Sequence, residues 1–202
     1  MTPVIFPFFD IQFRLAGGNW IDNIQNGVVS WQALTDVELR KRSDTGRANN
    51  SPQSTILPLV RVPSNCQRDF NLLAFDPDGD NVKCRFGSDS LSECNPCAPP
   101  SVLDLSSSCT LSFNGTNSIN ETSSINTTSS INATSSINAT SSINATSSIK
   151  EGPYAVQLVM EDFPRHDITL YNVSGLQETK TANQAISKIP LQFVLQGKSF
   201  PV

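Results

Sequence analysis

Alternation of apolar and polar residues is the clearest pattern along this chain. Tyr154, Val156, Leu158 and Met160 fall on every second position, and Leu191, Phe193 and Leu195 do the same further on. Side chains two apart share one face of a strand, so both runs predict strands with a buried face. Val82 to Phe86 alternates in the same way, and Thr110 to Phe113 and Ile168 to Tyr171 read as shorter strands. Ile56 to Val62 reads as extended between prolines, and Phe70 to Phe75 as a strand running into the turn Asp76-Pro77-Asp78-Gly79-Asp80-Asn81. Asp, Pro, Gly and Asn each favour turn geometry, so that segment predicts a sharp reversal. About seven short strands joined by turns predict an all-β fold, an antiparallel β-sandwich.

Two regions depart from this pattern. Residues 1–48 carry candidate strands at Phe9 to Leu15 and Gly27 to Trp31, while Trp31 to Arg42 is equally readable as a helix with Trp31, Leu34 and Leu39 on one side. This region is expected to be the tail of an upstream β-rich domain. The sandwich module is expected at 49–198, with a long disordered repeat insertion at 114–150. There isoleucine recurs every six residues from Ile119 to Ile149 in a Ser-Ser-Ile-Asn-Ala-Thr unit. One apolar side chain per unit cannot offset an ordering entropy of roughly 1–2 kcal/mol per residue. A hexapeptide β-helix is the ordered alternative, but this array would complete only about two coils.

The repeat also carries candidate chemistry. Asn114, Asn120, Asn126, Asn132, Asn138 and Asn144 each open an Asn-x-Ser/Thr acceptor for N-glycosylation, and Asn172 and Asn49 lie outside it. Pro52 directly after the Asn49 acceptor weakens that one. Repeat expansion copies whatever it copies, so the array is less than six independent signals.

All five cysteines, Cys66, Cys84, Cys94, Cys97 and Cys109, precede the repeat. Cys94-Asn-Pro-Cys97 is a CxxC. Zinc would want a second ligand pair, and the one histidine, His166, is far away. A redox pair would want a strand-to-helix setting, which Ala98-Pro99-Pro100 does not supply. Structural disulfides suit an extracellular setting best, with one cysteine left over and the connectivity open.

Composition narrows the function classes. The net charge is −4 and the pI about 4.9, and the only basic run is Arg40-Lys41-Arg42, read as a solvated surface stretch. Nucleic acid binding needs clustered Lys and Arg, so no nucleic acid partner is expected. No apolar stretch reaches the length of a membrane helix. Met1 to Phe9 lacks the basic start and cleavage site of a secretory signal, so the chain is expected to be a piece of a larger protein. His166 and Asp167 are sequence neighbours, which is poor geometry for an orienting pair, so an enzyme is not expected.

Three segments carry a family resemblance: Asn49-Asn50-Ser51-Pro52, Leu73 to Asp80, and Gly152 to Asp162. In order and spacing they resemble the opening junction, the Asp-rich turn and the late strand of cadherin-like and immunoglobulin-like extracellular β-sandwich modules. The resemblance spans roughly 49–197 and implies a divergent member. It also implies calcium held between modules by acidic residues, with Asp76, Asp78, Asp80, Glu161 and Asp162 as candidate ligands. The spacing does not fit a helix-loop-helix calcium loop, which wants Gly and Glu where Asn81 and Gly87 stand. The plain alternative is a turn without a metal.

The expected function is a non-enzymatic module of a secreted or cell-surface glycoprotein, acting in adhesion or protein recognition. Its partners would be protein or glycan ligands and neighbouring modules of the same chain. The alternatives are a mucin-like stalk carrying a glycan array and a soluble recognition lectin.

Overall fold

The structure is a computed structural model that describes residues 11–64, 66–114, 116–118, 146–148 and 151–198. It is all-β. In chain order the strands are β1 (Ile11–Asn19), β2 (Ser30–Val37), β3 (Lys41–Arg42), β4 (Gln53–Ser54), β5 (Leu59–Pro63), β6 (Arg68–Asn71), β7 (Ala74–Phe75) and β8 (Asn81–Phe86). They continue with β9 (Leu103–Leu105), β10 (Thr110–Phe113), β11 (Thr116–Ser118), β12 (Thr146–Ser148), β13 (Gly152–Phe163), β14 (Ile168–Tyr171), β15 (Gln177–Lys180) and β16 (Ser187–Lys198). Among the described residues a single 3-10 turn, Asp89–Leu91, interrupts them. Among the described residues no helix is long and apolar enough to cross a membrane.

The largest sheet runs β1-β2-β16-β13-β8, with β5 alongside β16. Its centre is the antiparallel pair β13 and β16, in register from Gly152 opposite Gly197 to Asp162 opposite Ser187. β5 joins β16 in parallel. A second sheet runs β6-β10-β9, a third β15-β14-β3, and β4 pairs with β7. β11 and β12 pair antiparallel, so the two flanks of the repeat meet. Residues 119–145 lie outside the described residues, and the expectation of disorder there with them.

The alternating runs do what their period predicts. Tyr154, Val156, Leu158 and Met160 enter one buried cluster with Phe193 and Leu195 of β16, and Leu111 and Phe113 of β10 close it from the second sheet. That cluster draws its side chains from two sheets. Each large side chain buried there stabilises the fold by about 1.5–3 kcal/mol relative to exposure. The Cys84–Cys109 bridge ties β8 to the start of β10 within the same cluster.

Several expectations change. Trp31 to Val37 lies in β2 and Lys41–Arg42 forms β3, with residues 38–40 as the connection, so this stretch is not helix. β2 joins β16 through Lys188 opposite Asp36, and β3 pairs with β14. Residues 11–48, expected as an upstream tail, are thus hydrogen-bonded into the sheets of the rest. The Phe70 to Phe75 run breaks at Leu73, whose φ of 50° is left-handed, and its N–H bonds to Asn71 Oδ1. An Asx turn therefore separates β6 from β7. Ala155, Gln157 and Val159, on the other face of β13, are buried as well. Asn26 helps seal that side, holding the Ala155 backbone at both N–H and C=O.

Candidate metal centre

The predicted turn delivers the acidic residues. Asp76 Oδ1 accepts from the N–H groups of Asp78 (2.8 Å) and Asp80 (3.2 Å), and Gly79 N–H returns to the Asp76 carbonyl. Gly79 sits at φ +85°, a conformation that a side chain disfavours. With Oδ1 fixed by the turn, Asp76 Oδ2 is left buried without a hydrogen-bond partner.

Asp162 comes from the end of β13, between Val82 of β8 and Ser187 of β16. It is fully buried. Its Oδ1 accepts from Ser187 N–H and Oγ, both at 2.7 Å, and its Oδ2 from Asn49 Nδ2 at 2.7 Å. Carboxylate oxygens of Asp76, Asp80 and Asp162 lie within 4.8 Å of one another. Calcium–oxygen bonds of about 2.3–2.6 Å put ligands across one ion up to about 5 Å apart, so the spacing fits.

The other candidates go elsewhere. Asp78 receives Asn50 through its backbone N–H (2.7 Å) and its amide (2.8 Å). Glu161 precedes Asp162 on an extended strand and so faces the opposite side. There it takes Arg85 at 2.9 Å and lies 4.0 Å from Lys188.

Arg42 is the residue that sequence reasoning misplaced. It is 1% exposed, not part of a solvated run. Its Nε and Nη2 grip Asp44 side-on at 3.0 and 2.7 Å. Nη2 and Nη1 grip Asp80 side-on as well, and Nη1 also donates to Asn49 Oδ1 at 2.6 Å. All five guanidinium N–H groups are thereby used. Asp78 stands 3.5 Å from Nη1. Nothing in the Arg-Lys-Arg run signals this: Asp44 and Asn49 are near in sequence, but the Asp80 that completes the set comes from a distant turn.

The charge balance is uneven. Asp44, Asp78 and Asp80 stand against the Arg42 guanidinium, Asp76 and Asp162 add two more carboxyl groups beside Asp80, and a second guanidinium, Arg165, donates to the Gly79 carbonyl of the turn. The Asp76 carboxyl is pushed up to about 6, chiefly by burial; the N–H bonds from Asp80 and Asp78 oppose this, and the charges of Asp162 and Asp80 add to it. Burial likewise raises Asp162 against the hydrogen bonds from Asn49 and Ser187. Hydrogen bonding to Arg42 holds Asp44 below the usual carboxylate range. The surplus can be met by a proton or by a cation between Asp76 and its neighbours. The orphaned, buried Oδ2 of Asp76 and the all-oxygen donor set fit a hard divalent cation.

The glycosylation candidates separate. Asn49 is 7% exposed and its amide N–H is committed to Asp162, so a glycan there would require this end of the fold to open. Asn114 is half-buried, its N–H bonded to the Val102 carbonyl. Asn172 sits in a turn where its Oδ1 accepts from Ser174 N–H, Ser174 Oγ and Leu176 N–H. Asn120, Asn126, Asn132, Asn138 and Asn144 lie outside the described residues.

Two disulfides form, Cys84–Cys109 and Cys94–Cys97, and exposed Cys66 is in neither. The CxxC is closed on itself against Gly87, where a Cβ would come within 2.6 Å of Cys94 Sγ. His166 is exposed, and Asp167 Oδ1 accepts from Ala182 N–H. Comparison with protein families, with curated proteins and with solved structures finds no match to this chain.

Proposed function

We propose that this chain is a non-enzymatic extracellular module of a secreted or cell-surface glycoprotein, built as a divergent cadherin-like β-sandwich. Its role is adhesion or protein recognition, and its acidic end takes up calcium. The observation that carries this reading is the meeting of Asn49, Asp76, Asp80 and Asp162 around one orphaned carboxylate oxygen. These residues come from the three segments that resemble such modules. Random surface acids do not converge from three such segments onto a buried point. Disulfides in the fold agree with an oxidising compartment.

In this reading Asp76, Asp80 and Asp162 hold the ion. Asn49 and Ser187 orient Asp162 by hydrogen bonds to its two oxygens. The single charge of Arg42 offsets only one of the charges of Asp44 and Asp80, so the site keeps an anionic surplus for the ion. Extracellular modules hold calcium with Kd of about 10⁻⁴–10⁻³ M. Bound calcium would add a positive charge where Asp76 and Asp162 resist ionising.

Calcium titration by calorimetry, with thermal unfolding alongside, tests this. Calcium at ten times its Kd should stabilise the chain by about 1.4 kcal/mol. Asp76→Asn keeps the Oδ1 acceptor of the turn and should abolish the heat and the stabilisation. No heat at millimolar calcium, or equal stabilisation of Asp76→Asn, would sink the calcium assignment.

A further inference from the structure

Asn172 opens the acceptor Asn172-Val173-Ser174 in the turn between β14 and β15. Its N–H bonds to the Leu176 carbonyl at 3.1 Å, and Gly175, at φ +84°, returns its N–H to the Asn172 carbonyl at 3.2 Å. The side chain is used from one end only. Its Oδ1 accepts from Ser174 N–H (3.0 Å), Ser174 Oγ (2.8 Å) and Leu176 N–H (2.8 Å), while its Nδ2 donates to nothing among the described residues. An N-glycan replaces one hydrogen on Nδ2 and leaves Oδ1 an acceptor. The turn therefore keeps all three bonds when Asn172 is modified. Asn49 is the opposite case, buried and with its Nδ2 spent on Asp162.

Asn172 also lines an open cavity of about 310 Å³, together with Leu39, Arg40, Lys41, Tyr171 and Val173. Small-molecule sites run from about 300 to 1,000 Å³, so there is room for a sugar ring. Arg40 is held in the wall by Glu38 at 2.6 Å and Glu178 at 2.7 Å. Tyr171 is half-buried, and Val173 is 66% exposed. A pyranose is amphipathic in the same way as this wall. Its C–H face packs on apolar and aromatic surface, which Leu39, Val173 and the Tyr171 ring provide, and its hydroxyl and amide oxygens accept from cations, which Lys41 and Arg40 provide. A sugar linked to Asn172 is tethered to the cavity, so it fills the cavity without needing the affinity of a free ligand.

From this geometry we infer that Asn172 carries an N-glycan whose first N-acetylglucosamine lies in this cavity, against Tyr171 and Val173. The inference rests on the glycoprotein reading above and is independent of the calcium assignment. The donor is a lipid-pyrophosphate-linked oligosaccharide. Asn172 Nδ2 bonds to its anomeric carbon, and the bond from that carbon to the pyrophosphate oxygen breaks. The lipid pyrophosphate leaves with the electron pair, and one Nδ2 proton passes to a base of the transferring enzyme.

The experiment uses the full chain, secreted from eukaryotic cells behind a cleavable leader. Peptide mapping after amidase release of glycans in heavy-oxygen water should find residue 172 converted to labelled aspartate. Ser174→Ala removes the acceptor but keeps both N–H bonds to Asn172 Oδ1, so it should leave residue 172 unmodified with unchanged circular dichroism. An endoglycosidase that leaves one sugar per site then prepares the chain for magnetic resonance. Nuclear Overhauser contacts should run from the sugar on Asn172 to the Tyr171 ring and the Val173 methyl groups, and be lost in Ser174→Ala. The chain has two tyrosines, and the other, Tyr154, is in the core, so the contact is assignable. An unmodified Asn172 in a chain glycosylated along its repeat overturns the inference and leaves the glycoprotein reading standing. A glycan on Asn172 whose first sugar makes no contact with Tyr171 overturns the inference as well. A secreted chain with no glycan at any acceptor overturns both.

Discussion

Arg42 shows how one side chain organises a whole end of this fold. Its planar fork meets two carboxylates side-on and one amide oxygen end-on, leaving no N–H unbonded. Burial works against the charge, but the bonds to Asp80 and Asp44 outweigh it and raise the Arg42 pKa. A lysine has a single ammonium and cannot reproduce two side-on pairs. Arg42→Lys is therefore expected to be clearly destabilising, and Arg42→Ala more so, by about 3–5 kcal/mol, since it leaves buried carboxylates unpaired. Urea unfolding measures both; a loss within the error of the wild type would show that the cluster does not depend on this residue. By contrast, the Arg40 guanidinium, on the same basic run, pairs with Glu38 at 2.6 Å and Glu178 at 2.7 Å. Sequence reasoning treated these neighbours alike because the partners that tell them apart, Asp80 and Glu178, lie far along the chain.

β13 was the most legible element. Its period-two face lies in the core as the alternation requires. What the alternation does not show is that the other face is buried too, beneath connections such as the one bearing Asn26. Leu158 is 1% exposed at the middle of the cluster, and Leu158→Ala should cost about 2–5 kcal/mol in chemical denaturation. Leu176, exposed in a turn, supplies the control, and the same substitution there should change stability by about 0.5 kcal/mol or less. Equal losses at the two sites would contradict the placement of the core. Long alternating strands are visible because their side chains repeat one environment. β3, β4 and β7, each two residues long, exist only because a partner strand lies alongside, so no local pattern announces them.

At the scale of the whole molecule, four separate stretches meet at the acidic end: residues 42–49, the Asp76–Asp80 turn, the end of β13 and the start of β16. Their titration links that end to global stability. The folded Asp76 pKa lies near 6 against 3.8 for the free side chain, so between these values the folded chain binds more protons than the unfolded one. Stability from this group is greatest at the low end of that window and declines as pH rises through 6, and Asp162 is shifted the same way. Asp44, Glu93 and Glu178 are shifted downward and pull oppositely, losing their contribution as pH falls through the acid range. In chelator, unfolding free energy should therefore fall between about pH 5 and 7, and Asp76→Asn should flatten that decline. An unchanged slope in Asp76→Asn would assign the effect to other groups. The sequence by itself determined the all-β class, the long strands, the Asp-rich turn and the clustering of the cysteines. Each of these follows from local side-chain alternation, turn preference or counting. Only the tertiary structure decided that Arg42 and Asn49 belong with Asp76, Asp80 and Asp162, that Glu161 does not, and that residues 11–48 share the sheets. Those outcomes depend on which segments lie side by side across many intervening residues. Pairing between distant strands is set by the competition for one shared core and one shared charge balance, which no local window of sequence contains.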